Sequence, residues 1–135
     1  MIQYKYHHTG VATKDIKLSA AFYVNIGYSQ SEIVIDDIQN VRICFLSKIN
    51  SPLIELVEPI NDRSPVNKIL EKNGNIPYHF CYEVDDLREA ILEMKKLGFI
   101  KIINPVPAIA FNNRLICFLF NKDVGLIELL EKELA

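Results

Sequence analysis

No sign of charge dominates this 135-residue chain. Fifteen Lys and Arg stand against seventeen Asp and Glu, for a formal net charge of −2 at neutral pH. So balanced a chain has no field to draw it to nucleic acid, and that class of partner is not expected. There is no uninterrupted apolar run near the length of about 18 residues that a spanning helix needs, so no membrane partner is expected either. The cysteines number three, an odd count that makes no disulfide framework and points to a reducing cytoplasm. The opening Met1-Ile2-Gln3-Tyr4-Lys5-Tyr6 lacks the layout of a secretory signal. Low-complexity segments are missing too. What the chain does have is apolar mass. Half its residues are hydrophobic and the mean hydropathy is +0.11. That supports one well-buried domain over 1–135 and leaves little room for two independent cores.

The sequence repeats itself. At an offset of 71, His8 falls on His79, Asp15 on Asp86 and Gly27 on Gly98. At an offset of 73, Ile43-Cys44-Phe45-Leu46 falls on Ile116-Cys117-Phe118-Leu119, and Leu53-Ile54-Glu55-Leu56 on Leu126-Ile127-Glu128-Leu129. Glu58 falls on Glu131 at that second offset. Ungapped blocks at nearly one offset mark a duplication.

Each half reads alike. A strand opens it (8–13 and 79–84), and an Asp suited to capping a helix follows: Asp15 in the first half, Asp85 or Asp86 in the second. Leu87, Ala90, Ile91, Met94 and Leu97 paint one helix face, and Gly98 sits where such a helix ends. Leu18, Ala21, Phe22 and Ile26, then Gly27, repeat this more loosely. Three strand-like runs follow in each half, at 32–35, 41–46 and 52–57, then at 100–103, 114–120 and 126–130. The expected fold class is α+β, with two tandem βαβββ modules. Module one covers about 1–62 and module two about 76–135. A connecting helix over about 64–74 starts at Ser64-Pro65 and stops at Asn73-Gly74.

Two polar types stand out among the duplicated positions. Glu55 and Glu128 lie inside apolar runs, where a carboxylate is costly unless paired, hydrogen-bonded or metal-bound. Taken singly, each also reads as a residue on the solvent side of its strand. A two-fold duplication, however, brings equivalent positions together near its axis. His8, Glu55, His79 and Glu128 then become candidate ligands of one divalent ion, and two imidazoles with two carboxylates suit Zn, Ni, Co or Mn. The register prefers His8 to His7, since neighbours on a strand face opposite ways and only His8 matches a histidine. Cys44, Cys81 and Cys117 read as core. Phe111-Asn112-Asn113-Arg114 reads as a hairpin turn. Arg114, Lys48 and Lys101 are weaker candidates for contacts with a substrate phosphate or carboxylate.

These features resemble the vicinal oxygen chelate (glyoxalase/bleomycin resistance) superfamily, over nearly the whole chain. The resemblance rests on His8-Thr9-Gly10-Val11-Ala12, Ile54-Glu55-Leu56-Val57-Glu58-Pro59, Tyr78-His79-Phe80-Cys81-Tyr82-Glu83-Val84-Asp85-Asp86 and Gly125-Leu126-Ile127-Glu128-Leu129. It implies a glyoxalase-like domain with one divalent metal held by His8, Glu55, His79 and Glu128. Two branches look closest, methylmalonyl-CoA epimerase and glyoxalase I (lactoylglutathione lyase). The first and second segments look like the epimerase. Glu rather than Gln at position 55 leans toward glyoxalase I. The implied activity is an isomerase or lyase moving a proton α to a carbonyl through a metal-stabilised enolate or enediolate. Its substrate would be an acyl-CoA thioester or, in the alternative, a glutathione hemithioacetal. Glu128 is the implied base. A second base would fall on Asp37 if one extra residue is allowed in the following loop. Asp37 is a departure from the Glu expected there, and Asp36-Asp37 also reads as a plain hairpin turn. A drug-sequestering protein without catalytic metal and an iron dioxygenase are the rival readings. By resemblance, the chain forms a homodimer.

Overall fold

The computed structural model describes residues 1–133. The chain divides into two compact units. The first is His8–Tyr78, and the second joins Met1–His7 to the chain from His79 onward. These boundaries differ from the sequence-based modules at two points: the first seven residues fall in the second unit, and the connecting helix, expected between the modules, falls in the first.

The first unit holds most of β1 (Tyr4–Ala12), α1 (Ile16–Asn25), β2 (Ser29–Gln30), β3 (Val34–Asp36), β4 (Val41–Ser47), β5 (Ile54–Pro59) and α2 (Val66–Asn73). Its strands run in the order β2–β4–β5–β1, with β3 also on β4. β1 and β5 are parallel, with Gly10 opposite Glu55, and β4 and β5 are antiparallel, with Phe45 opposite Glu55. α1 begins where the sequence expects. The Asp15 carboxylate accepts from the Lys17 amide at 2.9 Å, filling a donor that a helix start leaves open. α1 lays Ile16 and Ala20 on Cys44, Leu46 and Leu56, all buried.

The second unit contains β6 (Ile76–Val84), α3 (Leu87–Lys96), β7 (Ile100–Lys101), β8 (Val106–Ala108), a 3-10 turn (Ile109–Phe111), β9 (Arg114–Asn121) and β10 (Gly125–Glu131). Strand order is β6–β10–β9–β7, with β8 also on β9. Here too the outer pair is parallel and Phe118 stands opposite Glu128. Asp86, not Asp85, caps α3 by accepting from the Glu89 amide at 3.0 Å. Asp85 accepts from the Gln3 amide at 3.1 Å, and that bond holds its carboxyl below the usual range. Gly98 follows α3 with φ +94, a left-handed conformation that favours glycine. α3 buries Leu87, Ala90, Ile91 and Met94 against Cys117, Leu119, Ile127 and Leu129. Each unit therefore follows the βαβββ order with the first strand after its helix broken into two short pieces, β2 and β3 on β4, and β7 and β8 on β9. No helix among the described residues is long and apolar enough to cross a membrane.

Candidate metal centre

Strand alternation decides which residues leave the helix face. In the first unit Cys44, Leu46 and Leu56 point toward α1, so Phe45 and Glu55 point the other way. His8 joins them from β1. Its Nε2 lies 3.4 Å from Glu55 Oε1, and its ring meets Phe45 edge-on at 6.1 Å. The second unit repeats the arrangement. His79 Nε2 lies 3.1 Å from Glu128 Oε1, and the ring meets Phe118 edge-on at 5.2 Å. His8 is 0% exposed, Glu55 3%, His79 3% and Glu128 2%. Solvent-facing placement of the two glutamates is thereby excluded.

The donor spacing within each pair suits a shared ion. Two ligands at about 2.1 Å from a first-row divalent metal stand about 3.0 Å apart at right angles and about 3.4 Å apart tetrahedrally. The observed 3.4 and 3.1 Å fall in that window. A borderline ion also accepts imidazole and carboxylate together. The residues present fit the group.

The neighbouring histidine on β1 has a different ring partner. His7 belongs to the second unit, is half-buried, and packs edge-on against Phe111 at 5.3 Å. Asp36 and Asp37 also separate. Asp36 is buried and accepts from the Gln39 amide and side chain at 2.9 and 2.8 Å, which commits it to the β3–β4 turn. Asp37 is exposed on that turn. The row Asp36–Val41–Pro59, next to Asp37, lies four residues beyond Glu55 along β5.

The weaker candidates have structural work. Arg114 donates to Glu83 at 2.8 Å and to the Glu131 carbonyl at 3.2 Å. Lys48 donates to the Ile26 carbonyl at 2.8 Å and so closes the end of α1. Lys101 lies on the short edge strand β7. The three cysteines are buried, and burial pushes the Cys117 thiol up. One cluster went unassigned by sequence reasoning. Glu58 accepts from the Ile16 amide and from Arg42, each at 2.9 Å. These residues line a groove of about 610 Å³ at the start of α1, on the sheet face opposite Glu55. The matched Glu58 and Glu131 were its signal, but a repeat alone does not say what a carboxylate binds.

Fold and site together define a class. The chain belongs to the glyoxalase/bleomycin resistance protein/dioxygenase superfamily, whose family pattern matches residues 7–118. Within it, the chain is 35% identical over 133 residues to the mitochondrial methylmalonyl-CoA epimerase of Dictyostelium discoideum, covering 95% of this chain and 78% of that one. It is 33% identical over 132 residues to the ethylmalonyl-CoA/methylmalonyl-CoA epimerase of Cereibacter sphaeroides, covering 91% and 94%. The crystal structure of methylmalonyl-CoA epimerase from Mycobacterium tuberculosis matches with a TM-score of 0.84 and 26% identity, over 96% of this chain and 89% of that one. These relatives support an enzyme, an epimerase, and do not favour the glyoxalase I alternative.

Proposed function

We propose that this chain interconverts the C2 epimers of methylmalonyl-CoA. In this reading His8, Glu55, His79 and Glu128 together hold one divalent ion (Zn, Ni, Co or Mn) within a single glyoxalase-like domain. The observation that carries the reading is the duplicated buried His–Glu pair, set beside relatives named for this activity. A bound divalent ion supplies Lewis acidity toward the substrate's carbonyl oxygens. The chain's own residues do the rest. The Glu128 carboxylate takes the α-proton, and the C–H electron pair moves toward the thioester oxygen, leaving the substrate as an enolate. On the opposite face the Asp37 carboxyl gives a proton to the carbanion carbon and is left as the carboxylate, the base for the reverse direction. Exposure and freedom from the Gln39 bonds that hold Asp36 support Asp37 over its neighbour for that role. The hydrophobic faces of Phe45 and Phe118 hold the imidazoles and keep water from the reacting carbon. An odd number of cysteines, all three buried, fits a reducing compartment such as the cytoplasm. A homodimer completes the reading.

The test is metal content and activity of the purified protein, with His8→Ala and Glu128→Ala alongside. About one equivalent of divalent metal per chain is expected, lost in both variants. Epimerisation of methylmalonyl-CoA should greatly exceed turnover of a glutathione hemithioacetal. A wild type that binds no divalent metal after reconstitution sinks the proposal. Preference for the hemithioacetal would move it to glyoxalase chemistry.

A further inference from the structure

The two His–Glu pairs are alike, each with its phenylalanine, so the ligands alone cannot tell one end of a substrate from the other. That distinction falls to matched positions on the same sheet face whose side chains differ. Outward from Glu128, the strands of the second unit run β10, β9, β7. Phe118 stands opposite Glu128, and the Ile102 amide donates to the Phe118 carbonyl at 2.8 Å. In the next row of the same face, Leu126 stands opposite Phe120 and Phe120 opposite Ile100. Lys101, between the two isoleucines, pairs with Leu119 and so belongs to the helix face. Ile100 is 66% exposed, Ile102 54% and Phe120 41%. The first unit carries serine at all three places. Ser29 stands opposite Ser47, and the Ser31 amide donates to the Phe45 carbonyl at 2.9 Å. The duplicated fold therefore does not need apolar side chains there.

We propose that this apolar surface of the second unit carries the pantetheine arm of an acyl-CoA, with Ile100, Ile102 and Phe120 setting the preference for it. The proposal rests on the acyl-CoA reading above and adds which end of the substrate the second unit takes. Reach decides between the parts of the substrate. Neighbouring strands stand about 4.8 Å apart, so Ile102, two strands from Glu128, lies about 10 Å away, and Ile100 lies farther. A carbon that gives its proton to Glu128 sits about 3 Å from the carboxylate. The methyl and carboxylate groups on that carbon end short of the isoleucines. Only the arm that leaves through the thioester sulfur extends so far. Chemistry agrees with reach. The arm is uncharged and rich in methylene and methyl groups, and the phosphates lie beyond its far end. Two isoleucines and a phenylalanine, with Lys101 on the other face, suit a neutral chain better than a phosphate.

The experiment is titration calorimetry of the metal-loaded full chain with two thioesters that do not epimerise, propionyl-pantetheine and the shorter propionyl-N-acetylcysteamine. Wild type is compared with Ile100→Ser/Ile102→Ser/Phe120→Ser, which installs the first unit's residues at exposed positions; circular dichroism follows its fold. Wild type should bind the longer thioester at least about tenfold tighter. The triple variant should bring that ratio close to one and keep its metal uptake, with KM for methylmalonyl-CoA raised and kcat near wild type. Ile100→Leu/Ile102→Leu should keep the ratio. Phe120→Ser alone should lose part of it, and serves where the triple variant does not fold. A wild type that binds both thioesters equally, or neither, overturns the proposal, as does a folded serine variant that keeps the wild-type ratio. A wild type that shows the ratio, loses it in the variant and yet does not epimerise methylmalonyl-CoA supports the arm site and sinks the epimerase reading alone.

Discussion

Exchanging Glu128 for Gln keeps the side chain's size and removes its charge, so its effect on stability should change sign with metal. The carboxylate is 2% exposed, with Oε1 3.1 Å from His79 Nε2. Without metal, the wild type must desolvate this group, and a neutral isostere should be as stable or more so by about 1–3 kcal/mol. With metal, linkage reverses the order. At a metal concentration about 100 times its Kd, the wild type gains about 2.7 kcal/mol. For a chain of this length, that is a rise in Tm of roughly 10 °C. Losing even an outer-shell partner costs 10–100-fold in metal affinity, so a ligand exchange should cost about 100-fold or more. The same metal concentration then only equals the variant's Kd, and its gain falls to about 0.4 kcal/mol, or about 2 °C. Differential scanning calorimetry of chelated and reloaded protein, with metal measured by mass spectrometry, reads all four values. The crossing of the two Tm orders is the signature. Equal metal-induced shifts in wild type and variant would refute the assignment of Glu128 as a ligand. A chelated variant far less stable than chelated wild type would refute the desolvation argument.

Asp37→Asn should lower epimerisation about 100-fold or more while Glu128 still exchanges the α-proton of one epimer with deuterated solvent; unchanged epimerisation removes Asp37 from the mechanism. Arg114→Ala strips Glu83 of its guanidinium and the Glu131 carbonyl of its donor. The loss should be about 1–3 kcal/mol in urea unfolding, with KM for methylmalonyl-CoA unmoved; a raised KM would restore Arg114 as a substrate contact. Tyr4 donates to Glu93 at 2.9 Å; burial and then that carboxylate push its pKa from 10.0 to about 12. A raised pKa favours the neutral phenol in the fold, so its contribution is complete below pH 10 and lost as pH rises through 12. Tyr4→Phe should flatten that alkaline loss, and an unchanged alkaline profile would show that Tyr4 does not drive it.

Much of this fold can be read along the chain because the duplication is local in sequence. The Asp15 cap, the glycine after α3 and the strand pairs around Glu55 and Glu128 depend on neighbours a few residues away, or on a repeat that names its own counterpart. β8 was missed because Pro105 and Pro107 bracket Val106, and proline removes a ladder donor. The strand survives as a short edge, pairing Val106 with Ile116 and Ala108 with Arg114. The choice of His8 over His7 needed only strand alternation. The partners of Arg114 and Lys48 needed three dimensions. Glu83 lies 31 residues from Arg114, and the Ile26 carbonyl 22 residues from Lys48. No periodicity encodes such pairings.

Strand β1 is divided between the units, and this sets an order on synthesis. Residues 8–78 form a continuous stretch that can organise as soon as it leaves the ribosome. Gln3, Tyr4, Tyr6 and His7 leave earlier, yet their partners are Asp85, Glu93, Tyr82 and Phe111. The Tyr4–Glu93 bond spans 89 residues. At roughly 5–20 residues per second, the segment waits about 4–18 s for its counterpart. During that interval a nascent chain displays an unpaired, aromatic-bearing strand end to its neighbours. Crowded polysomes are therefore where this protein is most exposed to misassembly, and chaperone demand should concentrate on its first seven residues.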